Sequence, residues 1–102
     1  MAISTKVMTQ HIRGKVIEFT DFLEPNNEND SNSLVLAFTD HTLLRIDGVY
    51  DYNANITNEM IASVVREGPG LYAMYDFDDH LITEFSCNDR EVRVFDGTWR
   101  NK

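Results

Sequence analysis

The side chains most able to do chemistry are concentrated in one short segment, Asp76-Phe77-Asp78-Asp79-His80. Its carboxylates and imidazole are the oxygen and nitrogen ligands that divalent ions take in proteins. Their spacing, however, matches neither a zinc signature nor a calcium-binding loop, and no second cysteine is available. We therefore predict a solvated hairpin tip that holds no metal.

A cysteine nucleophile is the second chemistry to consider. Cys87 is the single cysteine of the chain, and His80 or His11 would have to act as its base. Cys87 ends a predicted strand, where no helix N-terminus is expected to lower the thiol pKa. We expect a structural thiol, and a lone cysteine also excludes an internal disulfide, as is typical of a reducing compartment.

Other catalytic and cofactor motifs are missing from the sequence. It contains no Gly-x-Ser-x-Gly elbow, no phosphate-binding glycine-rich loop and no dinucleotide fingerprint. Gly68-Pro69-Gly70 is predicted to follow a helix, whereas a phosphate-binding loop precedes one. The sequence therefore predicts a protein that is not an enzyme and that uses no cofactor.

Aromatic residues interspersed with acids favour binding as the function. Aromatic rings are enriched at the buried centres of protein interfaces, and rings beside carboxylates suit a basic, Arg-rich partner. The predicted partner-binding residues are Asp76, Asp78, Asp79, Tyr50, Tyr52, Tyr72, Tyr75 and Trp99.

Two alternatives stay open. A curled sheet could enclose a pocket for an anionic metabolite or nucleotide, with an arginine reading the anion. That pocket would be lined by Tyr50, Tyr72, Tyr75 and Trp99, with Arg45 or Arg93 as the arginine. Alternatively, the chain is a subunit of a homodimer or larger homo-oligomer, whose apolar strand faces meet a second copy.

The elements that would position these residues are mostly strands. Short alternating or apolar runs, rich in β-branched and aromatic residues and separated by turn signals, indicate an antiparallel arrangement. The predicted strands are Lys15–Leu23, Leu34–Thr39, Thr42–Ile46, Leu71–Phe77, Leu81–Cys87 and Arg90–Phe95.

The second and third strands are predicted to form a tight hairpin around Asp40-His41, because these residue types tolerate the left-handed backbone of a two-residue loop. In that register Phe38 faces Leu43 and Ala37 faces Leu44. Both faces of the hairpin are then apolar, which predicts a central position or an interface.

One helix is predicted from about Asn58 to Glu67, with Thr57 as its N-cap and Gly68-Pro69 at its end. Its apolar stripe has helical spacing and would face the sheet. The stripe consists of Met60, Ile61, Val64 and Val65. The fold class is thus α+β: a single antiparallel sheet of about six strands, which could be strongly curled, with one helix, in the order βββαβββ.

With 102 residues, the chain is predicted to form a single domain over residues 1–102. Residues 24–33 contain no apolar side chain apart from Pro25 and are predicted to be a mobile polar loop. Residues 1–13 carry no strong signal for an element and could be flexible.

The charge balance bears on the partner and the compartment. Seventeen acidic residues against nine basic ones give a formal net charge of −8. This sign repels phosphate backbones and anionic membrane surfaces and attracts basic surfaces, so we expect a basic protein partner, no nucleic acid and no membrane. No apolar run approaches the roughly 20 residues of a membrane span, and the N-terminus lacks the apolar core of a signal peptide. The expected location is the cytoplasm of a bacterium or of a phage-infected host cell.

A compact acidic domain without a catalytic constellation resembles the small immunity and inhibitor proteins with which bacteria and phages block a toxin or a defence enzyme. The resemblance is one of type and rests on no shared motif. It implies that the acidic and aromatic residues mask the basic site of a nuclease or another nucleic-acid-handling enzyme.

Overall fold

The computed structural model describes residues 4–24, 32–54 and 60–99, which form one short helix and seven strands. The elements are α1 (Thr5–Ile12), β1 (Ile17–Leu23), β2 (Asn32–Phe38), β3 (Thr42–Ala54), β4 (Ile61–Gly68), β5 (Leu71–Asp76), β6 (Leu81–Cys87) and β7 (Arg93–Thr98). Within the described residues, the predicted antiparallel sheet with a single helix is confirmed. The strand number is seven instead of about six, and the helix precedes all strands. Most of the predicted polar loop at 24–33 lies outside the described residues.

The strands form one sheet in the order β1-β2-β3-β6-β5-β4. The long strand β3 is central: β2 lies along one edge, while the other edge pairs first with β7 and then with β6. All of these pairings are antiparallel. The sheet curls until its end strands meet, because Val16 bridges to Met60 and the amide of Ile61 donates to the Lys15 carbonyl at 2.9 Å.

The β2–β3 hairpin differs from the predicted register by one residue. Ala37 pairs with Leu43 and Leu36 with Leu44. The loop holds three residues instead of two: the His41 amide donates to the Phe38 carbonyl at 3.1 Å, and His41 itself is left-handed with a φ of 68°. A turn closed by one left-handed residue is the common three-residue hairpin.

The one-residue difference changes which side chains share a face. The inner face of the hairpin is fully apolar and buried; it carries Leu34, Leu36, Phe38, Leu44 and Ile46. On the outer face Arg45 is exposed and Val35 is partly exposed. The outer face also carries the buried Ala37 and the partly exposed Leu43, so both faces hold apolar side chains, although the structure assigns these residues to the faces differently from the prediction.

The predicted helix at 58–67 is also wrong, because Ile61–Gly68 is strand β4, paired with β5. The cause is a bulge between Ile61 and Ser63. An extra residue in a strand places positions three apart on the same face, as a helix does. Ile61 and Val64 are both buried, whereas Val65 is 37% exposed. Pro69 and Gly70 form the β4–β5 turn, with Gly70 at a φ of 70°.

The helix that does form, α1, lies in the segment that carried no strong signal. Ser4 caps it by accepting the Val7 amide, and Met8 and Ile12 are buried. The Thr9 hydroxyl accepts a hydrogen bond from the Val64 amide at 3.0 Å and donates one to the Val64 carbonyl at 3.3 Å. Helix α1 thereby satisfies backbone groups on the outer edge of β4, which would otherwise be open to pairing.

The interior of the curled sheet is filled by side chains from every part of the described chain except β7, whose residues are all exposed. The largest fully buried side chains include Tyr72, Phe38, Phe85, Ile12, Ile17, Leu34, Leu36, Ile46, Ile61 and Met74. Among the described residues, no helix is both long and apolar enough to cross a membrane.

Candidate functional site

The predicted acidic turn divides into a buried residue and two exposed ones. Asp76 is 3% exposed, and its Oδ1 accepts the amides of Asp78 and His80, each at 2.8 Å. These bonds close the β5–β6 turn, in which Asp79 takes a φ of 62°. Asp76 therefore stabilises the β5–β6 turn, while Asp78 and Asp79 are exposed to solvent.

The same turn brings possible metal ligands together. One ligand atom from each of Asp76, Asp78 and His80 lies within 4.8 Å of the others. The closest approach to the imidazole is 3.5 Å, from Asp76 Oδ2 to His80 Nδ1. The Asp76 carboxylate is already held by turn amides, so the arrangement has a sufficient structural explanation.

Two of the predicted tyrosines are structural. Tyr72 is fully buried, stacks on Phe85 at 5.4 Å between ring centroids, and donates its hydroxyl to Asp89 Oδ1 at 2.6 Å. Tyr52 stacks on Phe22 at 5.0 Å. Both side chains contribute to the core or its border, whereas Tyr50 is exposed and Tyr75 is half-buried.

Trp99 and the two predicted arginines lie around β3 and β7. The Trp99 indole donates to the Phe38 carbonyl at 2.9 Å, and its ring packs edge-on against Phe19 at 5.2 Å. Arg45 stacks over Phe95 at 4.4 Å and pairs with Asp47 at 3.1 Å, while Arg93 is exposed on β7. Trp99 thus packs on the β2–β3 turn, whereas Tyr72 lies in the core. Trp99 and Tyr72, which were predicted to line the same pocket, therefore lie in different parts of the structure.

A different set of residues forms what we call the acidic face: Asp51, Asn53, Glu67, Tyr75 and Glu84. They lie on the outer side of the sheet formed by β3, β6, β5 and β4. Their strand neighbours Met74, Thr83 and Phe85 are buried on the opposite side. Register places Asn53 beside Glu84, and the Tyr75 hydroxyl donates to Glu67 Oε1 at 3.0 Å.

The acidic face has a negative local field. The pKa of Tyr75 is raised by its hydrogen bond to Glu67, by desolvation, and by the negative charges of Glu67 and Glu84. The basic residues that form salt bridges in the described part of the chain, among them Lys15, Arg45 and Arg66, pair with other carboxylates. The carboxylates of the acidic face have no salt-bridge partner among the described residues.

A shallow, open groove crosses this face between β3, β6 and β5. We call it the β3–β6 groove; it is lined by Asp51, Tyr52, Asn53, Leu71, Glu84, Phe85 and Ser86. Asp51 Oδ1 accepts the Tyr52 amide at 2.8 Å, which fixes the orientation of that carboxylate at the groove. The groove is a polar surface feature with one aliphatic wall.

Two further ionisable groups belong to the fold. Burial raises the pKa of the Cys87 thiol to about 11, and the nearby negative charge of Asp89 adds to the effect. A thiol of this kind is protonated and weakly reactive at neutral pH. The pKa of Asp89 is lowered by hydrogen bonds from Tyr72 and Arg66, so its carboxylate ties β4 and β5 to the segment after β6.

Sequence reasoning missed Glu67 and Glu84 as members of one surface. Glu67 falls within the predicted helix, so its position across a hairpin from Tyr75 is not visible in the sequence. Strand alternation does indicate that Glu84 faces outward, because its neighbours Thr83 and Phe85 are both buried. Placing it beside Asn53, however, requires the pairing of strands that are distant in sequence.

No protein-family model matches the chain, and comparison with curated proteins and with solved structures finds no similar protein.

Proposed function

We propose that this chain is a small acidic binding protein of the inhibitor or immunity type, which masks a basic site on a partner protein. The observation that carries the proposal is the acidic face, where Asp51, Glu67 and Glu84 share one side of the sheet without a salt-bridge partner in the described chain. Like charges on one face gain nothing from folding, so a cation from another molecule would relieve their repulsion.

Two further features support binding as the function. The net charge of −8 steers the chain toward basic surfaces and speeds encounter with them. Tyr50 is exposed next to Asp51 in the chain, and the half-buried Tyr75 bonds to Glu67, so both place aromatic surface near the carboxylates. Aromatic residues are enriched at the centres of interfaces. In this proposal the protein acts by occupying a site on its partner and carries out no chemistry of its own.

The test compares two triple variants that remove equal charge. Asp51→Asn with Glu67→Gln and Glu84→Gln neutralises the acidic face. Glu18→Gln with Asp21→Asn and Glu24→Gln neutralises exposed carboxylates in and after β1. Each tagged variant is used to capture proteins from a bacterial lysate at about 0.15 M salt, where fields beyond about 8 Å are screened.

We expect the parent chain and the β1 variant to capture the same basic protein, and the acidic-face variant to lose at least about tenfold of it. Equal loss by both variants would mean that net charge alone drives capture. Full retention by the acidic-face variant would refute the proposal.

A further inference from the structure

We infer that the β3–β6 groove receives an arginine side chain of the partner. This inference rests on the proposed function, because it names the chemical group that the partner presents to the acidic face. It is carried by the position of two carboxylates, Asp51 on β3 and Glu84 on β6, which both line the groove.

The strand register sets the distance between these carboxylates. Asp51 pairs with Ser86 and Asn53 pairs with Glu84, so Asp51 and Glu84 are diagonal neighbours on adjacent strands. Diagonal neighbours stand roughly 7 to 8 Å apart at the backbone. A planar guanidinium, with donors on several edges, can therefore bond to both carboxylates at once.

Neither carboxylate is neutralised within the described chain. Asp51 receives one amide hydrogen bond, from Tyr52, which leaves its second oxygen available. Glu84 is half-buried and lies close enough to Tyr75 for its charge to raise the pKa of that phenol. A cation between them would remove the repulsion of two negative charges.

The other walls favour arginine over lysine. Leu71 gives the groove an aliphatic side, and Asn53 and Ser86 add neutral polar groups. A guanidinium is weakly hydrated and packs well against apolar surface, whereas an ammonium is a compact, strongly hydrated point charge.

The experiment uses two fluorescent peptides of equal length and charge, nona-arginine and nona-lysine, and measures binding to the full chain by anisotropy. We expect the parent chain to bind nona-arginine about tenfold more tightly than nona-lysine. Asp51→Asn and Glu84→Gln should each abolish this preference. The asparagine side chain in the first variant keeps an acceptor for the Tyr52 amide, and thermal melting verifies that both variants fold. The control Asp21→Asn removes one exposed charge outside the groove and should keep the preference.

Equal affinity of the parent chain for the two peptides would overturn the inference, as would equal effects of Glu84→Gln and Asp21→Asn. Either outcome leaves the proposed function standing, since that proposal fails on a different result, namely unchanged capture by the acidic-face triple variant. An arginine preference lost only in the groove variants supports the inference.

Discussion

Two pairs of acidic side chains among the described residues differ in their hydrogen bonds. Asp76 and Asp89 each accept bonds from two or more donors and close turns. Asp51 accepts one amide, and for Glu84 no such bond is found in the described residues. A carboxylate saturated by the fold stabilises it, whereas one left open on a crowded negative face is available to a partner.

Asp89 should make the stability of the folded chain depend on pH in the acidic range. Its pKa is below the ordinary value in the folded chain, so its contribution is fully present above the unfolded pKa of about 3.8 and is lost as pH falls through the folded value. Asp89→Asn should therefore melt several degrees lower than the parent at neutral pH, with a difference that shrinks toward about pH 2. Melting curves across this range test it, with Asp21→Asn as the exposed control. A difference that stays constant with pH would contradict the assignment.

Two glycines with left-handed backbones allow a matched test of close packing. A Cβ on Gly70 would clash with the Cys87 carbonyl oxygen, whereas a Cβ on Gly14 would meet nothing within 4 Å. Both alanine variants carry the left-handed strain of about 1 to 2 kcal/mol. We expect Gly70→Ala to lose roughly a further 1 to 3 kcal/mol, because the clash is with backbone. Urea unfolding of both variants measures this, and equal losses would show that the turn can shift.

At the scale of elements, the sequence predicted most strands because alternation and turn chemistry are local. The sequence-based prediction was wrong where a single residue altered the periodicity of a strand or the length of a turn. The bulge near Ser63 gave β4 the spacing of a helix, and the left-handed His41 lengthened the β2–β3 loop by one residue. Helix α1 is short, and its stability comes from the packing of Met8 and Ile12 against the sheet. This packing cannot be predicted from the local sequence pattern.

The two valines of β4 distinguish a strand from the predicted helix. Val64 is 4% exposed and Val65 is 37% exposed, whereas the helical interpretation buries both. Val64→Asp should cost at least about 3 kcal/mol, because it leaves a charge unpaired in the core. Val65→Asp should cost under about 1 kcal/mol. Chemical denaturation of the two variants gives the comparison, and similar losses would contradict the strand assignment.

At the scale of the molecule, the candidate site was only partly predictable. The net negative charge could be predicted from the composition. The presence of tyrosines close to acidic residues could be predicted from their positions in the sequence. The identity of the face could not be read locally, since Asn53, Glu84 and Tyr75 come together only through the pairing of β3, β6 and β5. Two residues expected at the surface, Tyr72 and Asp76, are buried because each has a specific structural partner.

Hydroxyl-radical footprinting of the free chain and of its complex with the captured partner reports the exposure of individual side chains, and so shows whether the partner covers the acidic face. Val65 pairs with Ala73, two residues from Tyr75 on β5, and so lies on the same side of the sheet as the acidic face. We predict that Tyr75 and Val65 become protected in the complex, while Phe19 and Phe95, which are exposed on β1 and β7, react as in the free chain. Protection of Phe19 and Phe95 with unchanged labelling of Tyr75 would place the interface on the β1 and β7 strands and would contradict the account.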